Sequence, residues 1–349
     1  MIELSGLASR AGAFELRDIS ATIPAGAWGI VLGAAGAGKT TLLETIAGVR
    51  PITAGSVRLR GLDVTRLEIE HRRVGFVYQH SYLFPHLTVA ENIGYGAHDD
   101  GAVQSLIERF GAGTLTSRSV SSLSGGERQL IALLRALAPS PDILLLDEPF
   151  AALDPRGRVR IRSELRRWQR ERTATVLHVT HDLIEAATLG DVAMMLSAGR
   201  LSQSGTPEAL FRRPATREMA EFAGAENVFS GHVTRAESTT GSEVSTLIFR
   251  GEGIELLGVG DHPGGAAHAV VRAEDIALAG TPSSSGSARN VLDGRVIEVA
   301  RDGVLARVTV AVGVTMLTAV VTRDAATELG IVADQRVLAV IKATAVHLC

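Results

Sequence analysis

The chain has a single cysteine, and it is the last of 349 residues, Cys349. That excludes an intramolecular disulfide framework and a cysteine-cluster zinc site, and it fits a reducing compartment. Lysine is nearly as scarce. Only Lys39 and Lys342 occur, so the basic residues are almost all arginine, and each lysine is marked as one with a particular use. Charge of one sign is also missing: the net charge is −3 and the pI near 6.4, with no acidic or basic tail, which gives no overall basic footprint for nucleic acid. The first residues, Met1-Ile2-Glu3-Leu4-Ser5, lack a basic start followed by an apolar core, and no uninterrupted apolar run approaches a membrane span. A soluble, cytoplasmic chain is the expectation. Its length allows two or three domains with substantial cores.

What is present centres on Gly33-Ala34-Ala35-Gly36-Ala37-Gly38-Lys39-Thr40-Thr41, which follows the apolar run Trp28–Leu32 and precedes Leu42-Leu43-Glu44-Thr45-Ile46-Ala47-Gly48. It matches G-x-x-x-x-G-K-[ST]. Glycines let the backbone curl so that its N–H groups face a polyphosphate, and the following helix points its positive end at the same charge. Lys39 then reaches the β and γ phosphates, and the Thr40 hydroxyl holds Mg²⁺. The bland alternative is a Gly/Ala-rich turn that contains a lysine; a strand before it and a helix after it favour the phosphate loop.

The rest of the first 225 residues reads as α/β. Residues 1 to 32 form short strands, with Phe14 either stacking on an adenine ring or filling a core or edge position. Val74 to Tyr78 is a strand that delivers Gln79 to its end, where ligands gather in open α/β sheets and a polar side chain can meet Mg²⁺ or water. Residues from about 81 to 135 read as a helical insertion. Within it, Leu123-Ser124-Gly125-Gly126-Glu127-Arg128-Gln129 opens a helix and makes a second anion site at Ser124, Gly125 and Gly126. Ile143–Leu146 is a buried strand ending in Asp147-Glu148, fit for a Mg²⁺ contact and a general base for water. Ala151 to Asp154 is a turn, Arg156 to Arg172 an arginine-rich helix whose glutamates make a solvated face the better reading than nucleic acid, and Thr175 to Thr180 a strand ending at His181.

These motifs together resemble the ATP-binding subunits of ABC transporters over about residues 1–225. The resemblance implies that Gly33 to Thr40 is the Walker A loop, Gln79 the Q-loop glutamine, Ser124 to Gly126 the signature, Asp147 and Glu148 Walker B and its catalytic carboxylate, Ala151 to Asp154 the D-loop, and His181 the switch histidine. It also implies that two such subunits sandwich two ATP molecules, each phosphate loop facing the partner's signature. Glu148, His181 and Gln79 are then the catalytic residues, with Mg²⁺ on Thr40, Gln79 and Asp147. Phe14 resembles the adenine-stacking aromatic. The family's cargo passes through integral membrane permease subunits fed by a periplasmic or extracellular solute-binding protein, so the chain is expected on the cytoplasmic face of the membrane. Two departures stand out: Ala34-Ala35 where the family often has Pro-Ser, and a short insertion before Ser121.

After residue 225 the texture turns β-rich, with Thr281 to Ser287 a linker by composition. We expect an OB/Mop-like accessory domain in two parts, 226–286 with the linker included and 287–349. The second part resembles the molybdate-binding Mop-type module of molybdate and tungstate importer ATPases. A tetrahedral oxyanion wants hydroxyl and N–H donors with positive charge, which Ser287, Ala288 and Arg289 with Lys342, Ala343 and Thr344 supply if the two ends of the module meet. Otherwise Lys342 points to water and the module stiffens a homodimer. Import of sulfate, iron, polyamine or sugar is the alternative within the class, and a non-transport ABC ATPase or an oxyanion sensor lies outside it.

Overall fold

Trp28–Leu32, Ile143–Asp147 and Thr175–Val179 are buried along their whole lengths. Runs buried on both faces suit the centre of a parallel sheet covered by helices. In the computed structural model, which describes residues 1–236, 245–280 and 287–349, the chain divides into two units, Met1–Leu210 and Phe211–Cys349. The first carries strands β1 (Ile2–Ala11), β2 (Phe14–Ile23), β3 (Trp28–Leu32), β4 (Ile52–Leu59), β5 (Leu62–Asp63), β6 (Gly75–Val77), β7 (Ile143–Asp147), β8 (Thr175–Val179), β9 (Val192–Ser197) and β10 (Arg200–Gly205). Its helices are α1 (Lys39–Ala47), α2 (Ile69–Arg72), α3 (Val89–Gly94), α4 (Asp100–Phe110), α5 (Gly125–Leu137), α6 (Pro155–Arg172) and α7 (Leu183–Leu189).

The central sheet has the order β10-β9-β3-β8-β7-β6, parallel except for β10. Because β3, β8 and β7 are neighbours running the same way, the loops at their carboxyl ends converge. An antiparallel sheet, β2-β1-β4-β5, shares one core with α1 and the central sheet through Leu7, Leu16, Leu42, Ile46, Leu145 and Met194. The insertion between β6 and β7 is helical: α3 packs on α5 and α4 on α6. Val103, Leu106, Ile107 and Phe110 form the buried stripe of α4, whose period is that of an amphipathic helix.

The second unit begins earlier than the change of texture at 226 suggests. Helix α8 (Pro207–Arg212) spans the division, and α9 (Arg217–Phe222) packs on strands β11 (Asn227–Arg235) and β14 (Gly265–Val271), so it belongs with the β-rich part. The remaining elements are β12 (Ser245–Gly251), β13 (Ile254–Gly260), β15 (Ile276–Ala279), β16 (Asn290–Asp302), β17 (Leu305–Val312), β18 (Thr315–Thr322), α10 (Arg323–Glu328), β19 (Arg336–Ile341) and β20 (His347–Leu348). Most of the composition-based linker, 281–286, lies outside the described residues.

The two expected parts are joined more closely than composition indicates. Its two sheets, β13-β12-β11-β14-β20 and β15-β19-β16-β17-β18, exchange strands: β15 pairs with β19, and β20 pairs with β14. One core runs through both, from Phe229 and Phe249 to Val308 and Ile341. The halves are copies of each other. Asn227-Val228-Phe229-Ser230-Gly231-His232-Val233 matches Asn290-Val291-Leu292-Asp293-Gly294-Arg295-Val296, and Ala269–Leu278 matches Ala339–Leu348. The pairing is reciprocal, Ala269 opposite Leu348 and Ala339 opposite Leu278. Each copy also clasps the other. Buried Asn227 bonds both the N–H and the carbonyl of Thr318, at 2.7 and 2.9 Å, while Asn290 does the same to Leu257, at 2.6 and 2.9 Å.

Candidate functional site

The turn from β3 into α1 can be made only with glycine. Gly33 has φ +149° and a Cβ there would lie 2.2 Å from the Leu196 carbonyl oxygen; at Gly38, φ +101°, a Cβ would strike the Phe14 ring at 2.6 Å. Ala34, Ala35 and Gly36 form the exposed crown of the loop and Ala37 packs beneath it. Phe14, half-buried on β2, therefore sits against the phosphate loop itself, with one side in the core and one open. Lys39 folds over the crown and donates to the Gly33 and Ala34 carbonyls at 2.8 and 2.9 Å. Burial pulls its ammonium below the usual lysine value, with Glu148 and Asp147 pulling the other way. Thr41 follows in the first turn of α1, where its carbonyl accepts the Thr45 hydroxyl at 2.6 Å.

Thr40 donates to Asp147 Oδ2 at 2.6 Å, which joins the helix after β3 to the end of β7. Asp147 is 2 % exposed, and burial pushes its carboxyl above the ordinary aspartate value against the Thr40 hydrogen bond. The buried Asp147 carboxylate and the Thr40 hydroxyl are hard oxygen donors that suit Mg²⁺. Among the described residues no three His, Cys, Asp or Glu side chains gather to hold a metal, so a cation here would complete its shell from phosphate and water. Glu148, next in sequence, has φ +46° and gives its N–H to the Val179 carbonyl at 3.0 Å. Its Oε1 lies 3.1 Å from Nδ1 of His181, an exposed residue just past β8. The loops after β3, β7 and β8 thus bring Lys39, Thr40, Asp147, Glu148 and His181 into one continuous set.

The remaining predicted residues form a second grouping. Ser124 is the N-cap of α5: its Oγ accepts the Glu127 N–H at 3.3 Å while Glu127 Oε2 accepts the Ser124 N–H at 2.7 Å. The hydroxyl proton stays available to an outside acceptor. Gly125 is exposed, and a Cβ on Gly126 would come 3.0 Å from the Ala152 carbonyl, so the turn at Ser124 to Gly126 lies against the turn at Ala151 to Asp154. Asp154 caps α6 through the N–H groups of Arg156 and Gly157, at 3.1 and 3.0 Å, and the Gly157 bond first among them holds its carboxyl below the usual range. Gln79, exposed past the end of β6, borders a groove of about 390 Å³ with His80, Tyr82, Gly125, Arg128 and Gln129.

Gln129, Thr180 and Glu185 were not singled out by sequence reasoning. Gln129 is 2 % exposed, accepts from the Ser81 hydroxyl at 3.0 Å and donates to the Tyr78 carbonyl at 3.3 Å, so it grips the chain on both sides of Gln79. The signal was present: a polar residue on the apolar face of a helix must find buried partners.

In the second unit the two ends of the predicted oxyanion site do meet. Asn290 pairs with Ile341, which brings Arg289 beside Lys342 at the same end of the β16–β19 pair. Ser287, Arg289, Lys342 and Thr344 are exposed, Ala288 and Ala343 half-buried, and residues 343–345 form a single 3₁₀ turn after Lys342. No hydrogen bond or ion pair engages the Arg289 or Lys342 side chain among the described residues. The equivalent of Lys342 in the first copy, Arg272, is engaged: it donates to the Phe211 carbonyl and lies 3.6 Å from Glu274.

Residues 16–151 match the family model described as ABC transporter, and residues 286–348 that of the TOBE domain. The molybdate/tungstate import ATP-binding protein WtpC of Pyrococcus horikoshii is 35% identical over 363 residues, covering 100% of this chain and 99% of that one. The sulfate/thiosulfate import ATP-binding protein CysA of Escherichia coli is 41% identical over 258 residues, covering 69% of this chain and 70% of that one. Among solved structures, the dimeric ATP-binding cassette MJ0796 in a post-hydrolysis state bound to ADP and Pi superposes with a TM-score of 0.54 at 26% identity, over 59% of this chain and 99% of that one. Among the described residues no helix is long and apolar enough to cross a membrane. With this fold, this loop set and a relative matched along nearly its full length, the chain belongs to the ATP-binding proteins of ABC transporters and is an ATPase.

Proposed function

We propose that the chain powers import of molybdate or tungstate, as one of two identical ATPase subunits peripheral to a membrane permease on its cytoplasmic face. The observation that carries the ATPase half of this reading is the joined set Thr40–Asp147 and Glu148–His181 beneath the phosphate loop. Lys39 exchanges its loop carbonyls for β and γ phosphate oxygens. Thr40 and Asp147 would hold Mg²⁺, with Gln79 reaching it from the end of β6; when bound, the ion offsets charge on the phosphates. Glu148 takes the proton of the attacking water, and His181 Nδ1, as donor, fixes that carboxylate and stays close to the γ phosphate. Phe14 stacks on the adenine. Ser124, Gly125 and Gly126, with Asp154 nearby, face the partner subunit's nucleotide, so ATP ties the two subunits and hydrolysis releases them.

The groove beside Gln79 and the segment Tyr82 to Asn92 receive the permease, which a solute-binding protein outside the membrane supplies. Cargo follows from the relatives: those matched along the whole chain import molybdate or tungstate, whereas the sulfate importers match 69% of it. Ser287 to Arg289 and Lys342 to Thr344 then bind the same oxyanion on the cytoplasmic side and hold the ATPase inactive when it is abundant. The unengaged pair Arg289 and Lys342, against the engaged Arg272 of the other copy, supports that reading.

Calorimetric titration of the purified chain with molybdate, tungstate and sulfate tests it. Tight binding of molybdate or tungstate, absent with sulfate and lost in Lys342→Ala, is the expected result. Binding of sulfate alone moves the cargo to the sulfate importers, and no binding of any of the three removes the regulatory site.

A further inference from the structure

Beneath the exposed His181 lies a buried titratable pair that the hydrolysis chemistry does not use. Glu185, on α7, is 4 % exposed, and His178, on β8, is completely buried, with Oε2 and Nε2 3.5 Å apart. Neither ring nitrogen of His178 has a hydrogen-bond partner among the described residues. The short bond to this carboxylate comes from elsewhere: the Thr180 hydroxyl donates to Glu185 Oε2 at 2.7 Å. The same hydroxyl oxygen accepts the N–H of Asp182 at 3.0 Å. Asp182 in turn caps α7, its Oδ1 taking the N–H groups of Ile184 and Glu185 at 2.8 and 3.2 Å.

The consequence is a closed circuit around one residue. Thr180 and Asp182 flank His181, a single hydroxyl ties them together, and Glu185 sets the direction of that hydroxyl. An O–H that donates to a fixed buried acceptor leaves its lone pairs aimed elsewhere, here at the Asp182 N–H. Without the acceptor the hydroxyl is free to turn, and the tie across His181 loosens. The other wall of the site rests on the same place: the His178 ring meets Phe150 edge-on at 5.5 Å between centroids, two residues beyond Glu148. Stability is a poor explanation for a carboxylate at this depth, since an apolar side chain of similar volume fills such a place without desolvating a charge.

We infer that Glu185 is a positioning residue for ATP hydrolysis, fixing through the Thr180 hydroxyl the turn that holds His181 against Glu148. This rests on the proposed roles of His181 and Glu148.

Steady-state ATPase kinetics of the full chain with Mg²⁺ tests it. Glu185→Gln and Thr180→Ser, which keep an acceptor and a hydroxyl, are expected to stay within about threefold of the parent kcat, whereas Glu185→Ala and Thr180→Val lose about tenfold or more with KM for ATP within about twofold. Because Glu185 acts through His181, adding Glu185→Ala to His181→Ala is expected to cost less than about twofold further. Thr180→Val is close to isosteric and carries the test if Glu185→Ala fails to fold. An unchanged kcat in Glu185→Ala, equal losses in the Gln and Ala variants, or full additivity on the His181→Ala background overturns the inference while leaving the site reading in place. A parent kcat in His181→Ala overturns both.

Discussion

Glu148 sits in a backbone conformation that few side chains accept. Its φ of +46° puts a non-glycine residue in the left-handed region just where β7 ends, and the bond from its N–H to the Val179 carbonyl keeps it there. Strain of this kind is legible only in the fold, because nothing in Asp147-Glu148-Pro149 announces it. The neighbouring His178 shows the same limit. As the fourth residue of an apolar strand it reads as filler, yet burial lowers its pKa from 6.5 to about 3, with Arg162 adding to the effect. Between those values the unfolded chain holds a proton that the folded one does not, so this group's contribution to stability falls as pH falls, by about 1.4 kcal/mol per pH unit. Glu185 opposes it. Burial raises its pKa against the Thr180 hydrogen bond, with Asp182 in the same sense as burial and Arg162 and Arg158 against, so the folded state takes up that proton earlier as pH falls and gains stability there. His178→Phe removes only the first titration. Its unfolding free energy is therefore expected to gain on the parent by about 1 kcal/mol per pH unit from 6.5 toward 4 in denaturant melts; parallel curves would show that His178 titrates normally.

At the scale of elements, polar side chains on buried faces do the joining. Asn92, on α3, is 0 % exposed and accepts the Phe84 N–H at 2.8 Å while its amide donates to the Phe84, Leu87 and Thr88 carbonyls at 3.1, 3.3 and 3.0 Å. One side chain thereby shapes the loop that precedes its own helix. Asn92→Leu leaves those backbone groups without partners, an expected loss of about 1–3 kcal/mol read as a lower thermal midpoint. A midpoint equal to the parent's would mean that water replaces the amide. Gln129 plays a comparable part for α5. The helices α4 and α5 themselves were readable from their apolar stripes, and Ser124 with Glu127 spelled out a capping box. What Asn92 and Gln129 reach was not, since both partners lie across loops whose paths the sequence leaves open.

At the scale of the molecule, the second unit is the larger surprise. Its strands are readable as β segments in two parts, with a compositional break near 281–287, but nothing local shows that the parts exchange strands. Crosswise pairing of β14 with β20 and β15 with β19 makes one folded body instead. The repeat of Asn227–Val233 at Asn290–Val296 was a visible signal for it. Asn227→Ala severs the clasp on Thr318 and is expected to destabilise this unit by about 1–3 kcal/mol, seen as a lower calorimetric transition of the full chain with ATP turnover unchanged. An unmoved transition would show that the shared core alone holds the copies together.

The sequence by itself determined the phosphate loop, the residue types at each strand end and the apolar periods that make the elements, because these depend on neighbours a few residues apart. Gly33 and Gly38 are legible there from the spacing of the motif, while the contacts that exclude a Cβ, with Leu196 and Phe14, come from distant parts of the chain. Only the tertiary structure decided which of these residues meet. The bonds from Thr40 to Asp147 and from His181 to Glu148 cross 107 and 33 residues of chain, and they exist because β3, β8 and β7 lie side by side in one parallel sheet. It also decided that Glu185 and His178 are buried together and that Arg289 stands beside Lys342, since burial and strand register are properties of the packed chain and not of any local stretch.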